Sequence, residues 1–220
     1  MAKKKTEKKV EVEESQDAAM GMPNFMFLPQ EPKNDSMLRK ITLIGDVDED
    51  KTNELTYGLY TLKEFGKQEE QPAKKNGKVR TTFLPIDFVI STNGGSASEM
   101  FALYDIMRDI RTECPIHTFG IGKVMSAGVL LLAAGTKGQR RIGKHCRVMI
   151  HSVIAGNSGP MHALQNEMAE TLETQRRYIQ ALKAETKLTD KQIKAFFDRH
   201  VDIYLSAEEA VKYGIADIVV

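Results

Sequence analysis

Gly122 to Gly135 reads GKVMSAGVLLLAAG, a Met-Ser-Ala-Gly step that runs at once into an unbroken apolar segment. A hydroxyl at the mouth of so apolar a run has an ordinary explanation: Ser126 caps a buried helix by accepting a hydrogen bond from a first-turn N–H. It also has a chemical one, a nucleophile exposed where the chain turns into that helix. The flanking sequence has to decide between them.

Immediately upstream, PIHTFGI has the apolar, β-branched character of a strand. Before it, FLPIDFVIS reads as another strand, followed by TNGGSASEMFALYDIMRDIR, a Gly-Gly turn opening into a helix. Met100, Leu103, Tyr104, Met107 and Ile110 mark one apolar face of that helix. Further upstream, RKITLIGDVDED offers a strand and a turn, and TNELTYGLYTLKEFG spaces Leu55, Leu59, Leu62 and Phe65 as a helix does. Between these units, residues 67–80 are polar and carry Pro72 and the turn pair Asn76-Gly77, so an exposed loop or hairpin is expected there.

Downstream, CRVMIHSVIAG reads as a strand, and a long helix follows with Met161, Leu164, Met168, Leu172, Ile179 and Leu182 on related faces. Thr189 with Gln192, and Ser206 with Glu209, form capping-box patterns for two shorter helices. Strands alternating with helices predict an α/β fold of parallel βαβ units. In such folds ligand sites gather where strand ends turn into helices. Gly94-Gly95 and Ser126 both sit at such turns.

The chain has 220 residues, enough for one large domain, and its net charge of +1 from 31 basic and 30 acidic residues gives no global field for nucleic acid or a charged membrane. Cys114 and Cys146 form no Cys-x-x-Cys pair, so neither a disulfide framework nor a structural metal site is indicated and a reducing compartment is expected. The opening MAKKKTEKKVEVEES lacks the apolar stretch of a secretory signal, and no later run approaches membrane-spanning length, so a cytoplasmic protein is expected. Residues 1–36 read as an appendage: a charged, flexible tail, then MGMPNFMFLPQEPKND, whose Met, Phe and Leu between prolines suit docking, for instance onto a neighbouring subunit. Residues 37–220 form the domain.

A serine becomes nucleophilic when a neutral imidazole takes its proton and an acid holds that imidazole in the correct tautomer. Among the five histidines, His117 lies within a strand, His162 begins the long helix, His200 ends a short one and His145 sits in a basic turn. His151 differs because it ends the strand RVMI before a glycine-bearing turn, where a rigid element presents it to a cleft.

The segments GGSASEMFALYDIMR, MSAGVLLLAAGTKGQRR, RVMIHSVIAG and DRHVDIYLSAEEAVKYGIAD together resemble, in order, the ClpP family, the proteolytic subunits of the Clp protease. The resemblance runs from about Lys40 to the C-terminus. It implies a ClpP/crotonase-like spiral of repeated β-β-α units, with a long helix and a strand projecting as a handle. It implies a serine-type endopeptidase in which Ser126 is the nucleophile, His151 the general base and Asp198 the orienting acid. Asp198 stands eight residues before Ser206; Asp202 is its nearby competitor. The backbone N–H groups of Gly95 and Ala127 are the implied oxyanion donors. Unfolded polypeptides would bind as extended strands along Gly95, Ser96 and the segment after His151.

No metal or cofactor is implied in this subunit; ATP would be used by an AAA+ unfoldase partner. The implied assembly is a homo-oligomer of two stacked heptameric rings. Two departures mark a divergent relative, of the kind a virus could carry. Thr92-Asn93 stand where the family has Ser-Pro before Gly-Gly, and Asp87 and Val89 replace aromatic residues that receive the unfoldase, so weak docking is expected. Three other readings are a noncatalytic ring subunit, a crotonase-like acyl-CoA enzyme, and a Ser-Lys dyad using Lys123 or Lys144.

Overall fold

The computed structural model describes residues 38–70, 79–197 and 201–220. The expected N-terminal appendage, the centre of the expected 67–80 loop, and Asp198 with His200 lie outside the described residues. Strand β1 (Lys40–Ile44) leads to helix α1 (Glu49–Phe65), which Asp48 caps by accepting the Lys51 N–H at 2.8 Å. Leu55 and Leu59 of α1 are buried as the spacing predicts, whereas Phe65 at its end is exposed. Strands β2 (Lys67–Glu70) and β3 (Arg80–Phe83) pair antiparallel, so the expected loop is flanked by a two-stranded ladder.

Strand β4 (Ile86–Thr92) alternates buried and half-buried residues, and α2 (Ala97–Ile110) buries all five residues of its predicted face. Strand β5 (Ile116–Met125) is longer than the sequence suggested, continuing to the residue before Ser126. It feeds α3 (Ala127–Ala133), every residue of which is buried. Then follow β6 (Arg141–Ile142), β7 (Arg147–Ile150), α4 (Met161–Glu185), α5 (Asp190–Phe197), β8 (Ile203–Leu205), α6 (Ala207–Lys212) and β9 (Ile218–Val219). Both predicted capping boxes form: Thr189 accepts from the Gln192 N–H while Gln192 accepts from the Thr189 N–H, and Ser206 and Glu209 do the same.

Seven strands make one sheet in the order β1-β4-β5-β6-β9, with β7 added to β5 and β8 to β7. Every pairing is parallel except β7 with β8. The β4–β5 register slips between Ile90 and Thr92, where one residue of β4, Ser91, faces three of β5, Ile121 to Lys123, and Gly122 in that bulge takes φ 61°. Such bulges bend a strand. The bend divides β5: Phe119 and Gly120 pair with β6, and Lys123 to Met125 pair with β7. The second half of β5 therefore delivers Ser126 beside the end of β7, where His151 stands.

The core lies between this sheet and the helices packed on it, with Leu43, Phe88, Ile90, Leu103, Ile116 and Leu130 fully buried. Helix α4 is long, as expected, but its halves differ. Tyr178, Leu182 and Glu185 are buried, whereas Met161, Met168 and Leu172 are 72%, 61% and 61% exposed. The strand expected beside it is not formed: residues 151–160 pair with no strand among the described residues.

Candidate active site

Ser126 occupies the N-cap position of α3, yet its side chain makes no capping hydrogen bond. Its backbone takes φ 53° and ψ −119°, and it is the one non-glycine residue with positive φ among those described. A side chain held in that region costs roughly 1–3 kcal/mol and persists only where the surroundings impose it. Those surroundings are visible. The Ser126 N–H donates to Met149 of β7 at 2.8 Å, and its carbonyl accepts from the Val129 N–H at 3.0 Å and the Tyr178 hydroxyl at 3.1 Å. The Ser126 side chain thus does not cap the helix. A sharp strand-to-helix turn that lifts a serine Oγ clear of the backbone is the geometry of a nucleophile, and it frees the next N–H for an oxyanion.

Gly95 comes from the turn after β4. Val47 bridges to either side of it, donating to the Gly94 carbonyl and accepting from the Ser96 N–H, both at 2.8 Å, so the Gly95 N–H points away from Val47. Gly95 takes φ 152°, and a Cβ there would collide with the Val47 backbone. The absence of proline from this turn is compensated locally, since the buried Thr92 hydroxyl accepts the Gly94 N–H at 2.9 Å.

Gly95, Ser126, Ala127 and His151 line one cleft of about 350 Å³, with Asn93, Met100 and Tyr178. The fold therefore brings together four of the five residues nominated from the sequence. Asp198, the fifth, lies outside the described residues. Its competitor Asp202 is described: the antiparallel β7–β8 ladder pairs Ile150 with Ile203, so one further step sets His151 opposite Asp202. These two residues and Val201 line a second, smaller depression, and His151 belongs to both.

The rival groups stand elsewhere. His117 is on the outer face of β5, 3.8 Å from Asp87, and burial there pushes its imidazole below the usual range. His145 and His162 are exposed. Neither Lys123 nor Lys144 lines the cleft with Ser126. Both cysteines are buried, and burial pushes the Cys146 thiol up to about 11, which leaves it a poor nucleophile.

Sequence reasoning missed Tyr178 and Gln175, and gave Gly94 no contact with Ser126. Gly94 was visible as half of a Gly-Gly turn, but its contact with Ser126 arises only when β4 and β5 lie side by side. Tyr178 sits in a helix whose periodicity explains it as an ordinary core residue. Among the described residues no helix is long and apolar enough to cross a membrane.

Comparison with known proteins bears on this geometry. A family model for Clp protease matches residues 35–220. ATP-dependent Clp protease proteolytic subunit 1 of Prochlorococcus marinus subsp. pastoris is 36% identical over 130 residues, covering 59% of this chain and 64% of that protein. Proteolytic subunit 2 of Rhodococcus jostii is 32% identical over 182 residues, covering 83% of this chain and 84% of its own length. The match to the first thus spans less than two thirds of that relative. With its mixed, mainly parallel sheet and its strand-to-helix serine, the chain belongs to the Clp protease family.

Proposed function

We propose that the chain is a serine-type endopeptidase subunit that cleaves unfolded polypeptides and short peptides inside a ring-shaped chamber. The observation that carries this reading is the uncapped Ser126 hydroxyl, held at positive φ in one cleft with His151. In the reaction, His151 takes the Ser126 proton as Oγ attacks the scissile carbonyl. The tetrahedral oxyanion is held by the N–H groups of Gly95 and Ala127, each donor being worth about 10²–10³ in rate. Collapse expels the amine, which receives the proton from His151, and leaves an acyl-enzyme on Ser126. Water, deprotonated by the same imidazole, then releases the acid.

The acid that orients His151 is one of two residues. The resemblance assigns the role to Asp198, eight residues before Ser206; Asp202, which the β7–β8 register sets opposite His151, is its competitor. Neither rival needs this combination: a crotonase-like acyl-CoA enzyme needs the paired N–H groups but no serine nucleophile, and a scaffold subunit needs neither.

The subunit works as a homo-oligomer of two stacked heptameric rings, a reading supported by the exposed apolar residues of α4. An ATP-driven unfoldase would feed it, with weak docking: Asp87 and Val89 lie on the outer, half-buried face of β4, and Asp87 is tied to Arg141 at 3.3 Å. The test is labelling with a fluorophosphonate followed by peptide mapping. A stable adduct on Ser126, absent in Ser126→Ala together with peptide cleavage, is the expected result. Cleavage undiminished in pure Ser126→Ala overturns the serine mechanism.

A further inference from the structure

Two residues of α4, three apart and so on one face of the helix, reach both limbs of the cleft. The Tyr178 hydroxyl donates to the Ser126 carbonyl at 3.1 Å, and Gln175 Oε1 accepts the Val153 N–H at 3.1 Å, two residues beyond His151. Tyr178 is 4% exposed, and its ring meets Phe197 edge-on with centroids 6.1 Å apart, so its hydroxyl has little freedom to choose another partner.

The Ser126 carbonyl already accepts the Val129 N–H. Tyr178 is therefore not needed to satisfy a stranded acceptor; its bond adds a second fixed direction to that oxygen. The consequence follows from the peptide bond itself. The Ser126 C=O and the Ala127 N–H belong to one planar trans unit and point in opposite directions. A hydroxyl that grips the carbonyl from α4 thereby aims the Ala127 N–H the other way, on the side where an oxyanion would sit. The second bond acts on the base. The β7 ladder ends at Ile150, and residues 151–158 belong to no strand or helix. Gln175 holds the chain downstream of His151, beyond the strand that tethers it from the other side.

We infer that Tyr178 and Gln175 are positioning residues of the peptidase site: one turn of α4 sets the aim of the oxyanion donor and the placement of the general base. The inference rests on the serine-peptidase reading above. It means that a displacement of this turn changes catalytic alignment without touching Ser126 or His151 side chains.

The experiment compares wild type with Tyr178→Phe, Gln175→Met and Gln175→Glu in the full-length protein. Rates of fluorophosphonate labelling, kcat and KM for a short fluorogenic peptide, melting temperature and particle mass are measured together. Tyr178→Phe keeps the ring on Phe197 and removes only the donor; its labelling rate and kcat should fall about tenfold, with KM, melting temperature and mass nearly constant. Gln175→Met should fall similarly, and Gln175→Glu, which keeps an oxygen acceptor at the same reach, should recover most of that loss. Equal labelling rates in wild type and Tyr178→Phe, or losses that track melting temperature, overturn the inference and leave the peptidase reading intact. Wild type that never labels at Ser126 sinks the peptidase reading and this inference with it.

Discussion

Gly94 and Ser126 are packed so closely that a Cβ on Gly94 would stand 2.5 Å from the Ser126 Cβ and 3.0 Å from its Oγ. Gly94 also takes φ 106°, a region that side chains rarely occupy. The turn after β4 and the turn after β5 are therefore shaped against each other, and glycine is what lets the serine stand where it does. Gly94→Ala should lose fluorophosphonate labelling by at least about 10²-fold, comparable to losing an oxyanion donor. It should also lose roughly 1–3 kcal/mol of stability from the strained backbone. Denaturant melts beside labelling rates check both; full labelling in the variant would mean that the serine does not need this turn.

The acid is separable by two substitutions that each change one atom. Asp198→Asn should lower kcat by as much as about 10⁴-fold, the loss seen when a serine protease's orienting carboxylate becomes an amide. Asp202→Asn should have the smaller effect. The reverse order, measured on one peptide substrate, would give the role to Asp202, which the β7–β8 register sets opposite His151.

Most of the strand and helix order was legible because binary patterning is local: the five buried residues of α2 and both capping boxes appear where spacing puts them. Ser126 and His151 stood out because each stands where an apolar strand ends, at Met125 and Ile150, while their roles came from the family resemblance. What the sequence could not supply depended on pairing between distant segments. The bulge in β5 that turns Lys123–Met125 onto β7, the opposition of His151 and Asp202, and the reach of Tyr178 to Ser126 are all properties of register. The apolar residues of α4 fall on related faces by spacing, but spacing does not say which of them this chain covers: among the described residues the buried ones lie in its C-terminal half.

At that C-terminal half, Glu185 is 2% exposed and accepts from Arg111 at 2.5 and 3.0 Å and from the Tyr104 hydroxyl at 3.1 Å; Lys137 is a further partner at 2.9 Å. Burial by itself would raise this carboxyl, but the hydrogen bonds from Arg111 and Lys137 outweigh it and hold the group below its ordinary 4.5. Lys137 is the weaker partner, since burial lowers its own ammonium despite the pair, so Arg111 carries the interaction. A carboxyl depressed in the folded state contributes its full stability above its unfolded value and loses it as pH falls through the folded one. The protein should accordingly weaken once pH drops below about 4.5. Glu185→Gln should cost about 2 kcal/mol at neutral pH, less than a fully buried pair because Arg111 is partly exposed, and should flatten this acid dependence. Urea midpoints between neutral pH and the acid limb measure both; a variant with the wild-type slope would show that Glu185 does not carry the effect.

The exposed half of α4 bears on assembly. Met168 and Leu172 are four apart on one face, both 61% exposed, and Ile154 in the unpaired segment after His151 is 82% exposed. Apolar side chains grouped in this way on a long helix mark a surface that another molecule covers. Residues 151–158 join no strand among the described residues, so a second copy of the chain can complete this backbone by strand addition. A copy docked there would hold the segment that follows His151, as Gln175 does from within. Assembly would then tighten the base as well as build the chamber. Met168→Glu with Leu172→Glu should place uncompensated charge in the contact, at several kcal/mol, so particle mass and peptide turnover should fall together. Serine labelling of the separated subunit should slow with them. Mass by light scattering, measured beside turnover, decides the matter: a separated variant that keeps wild-type turnover breaks the link between this surface and the base, and a wild-type monomer with full activity removes the need for a ring.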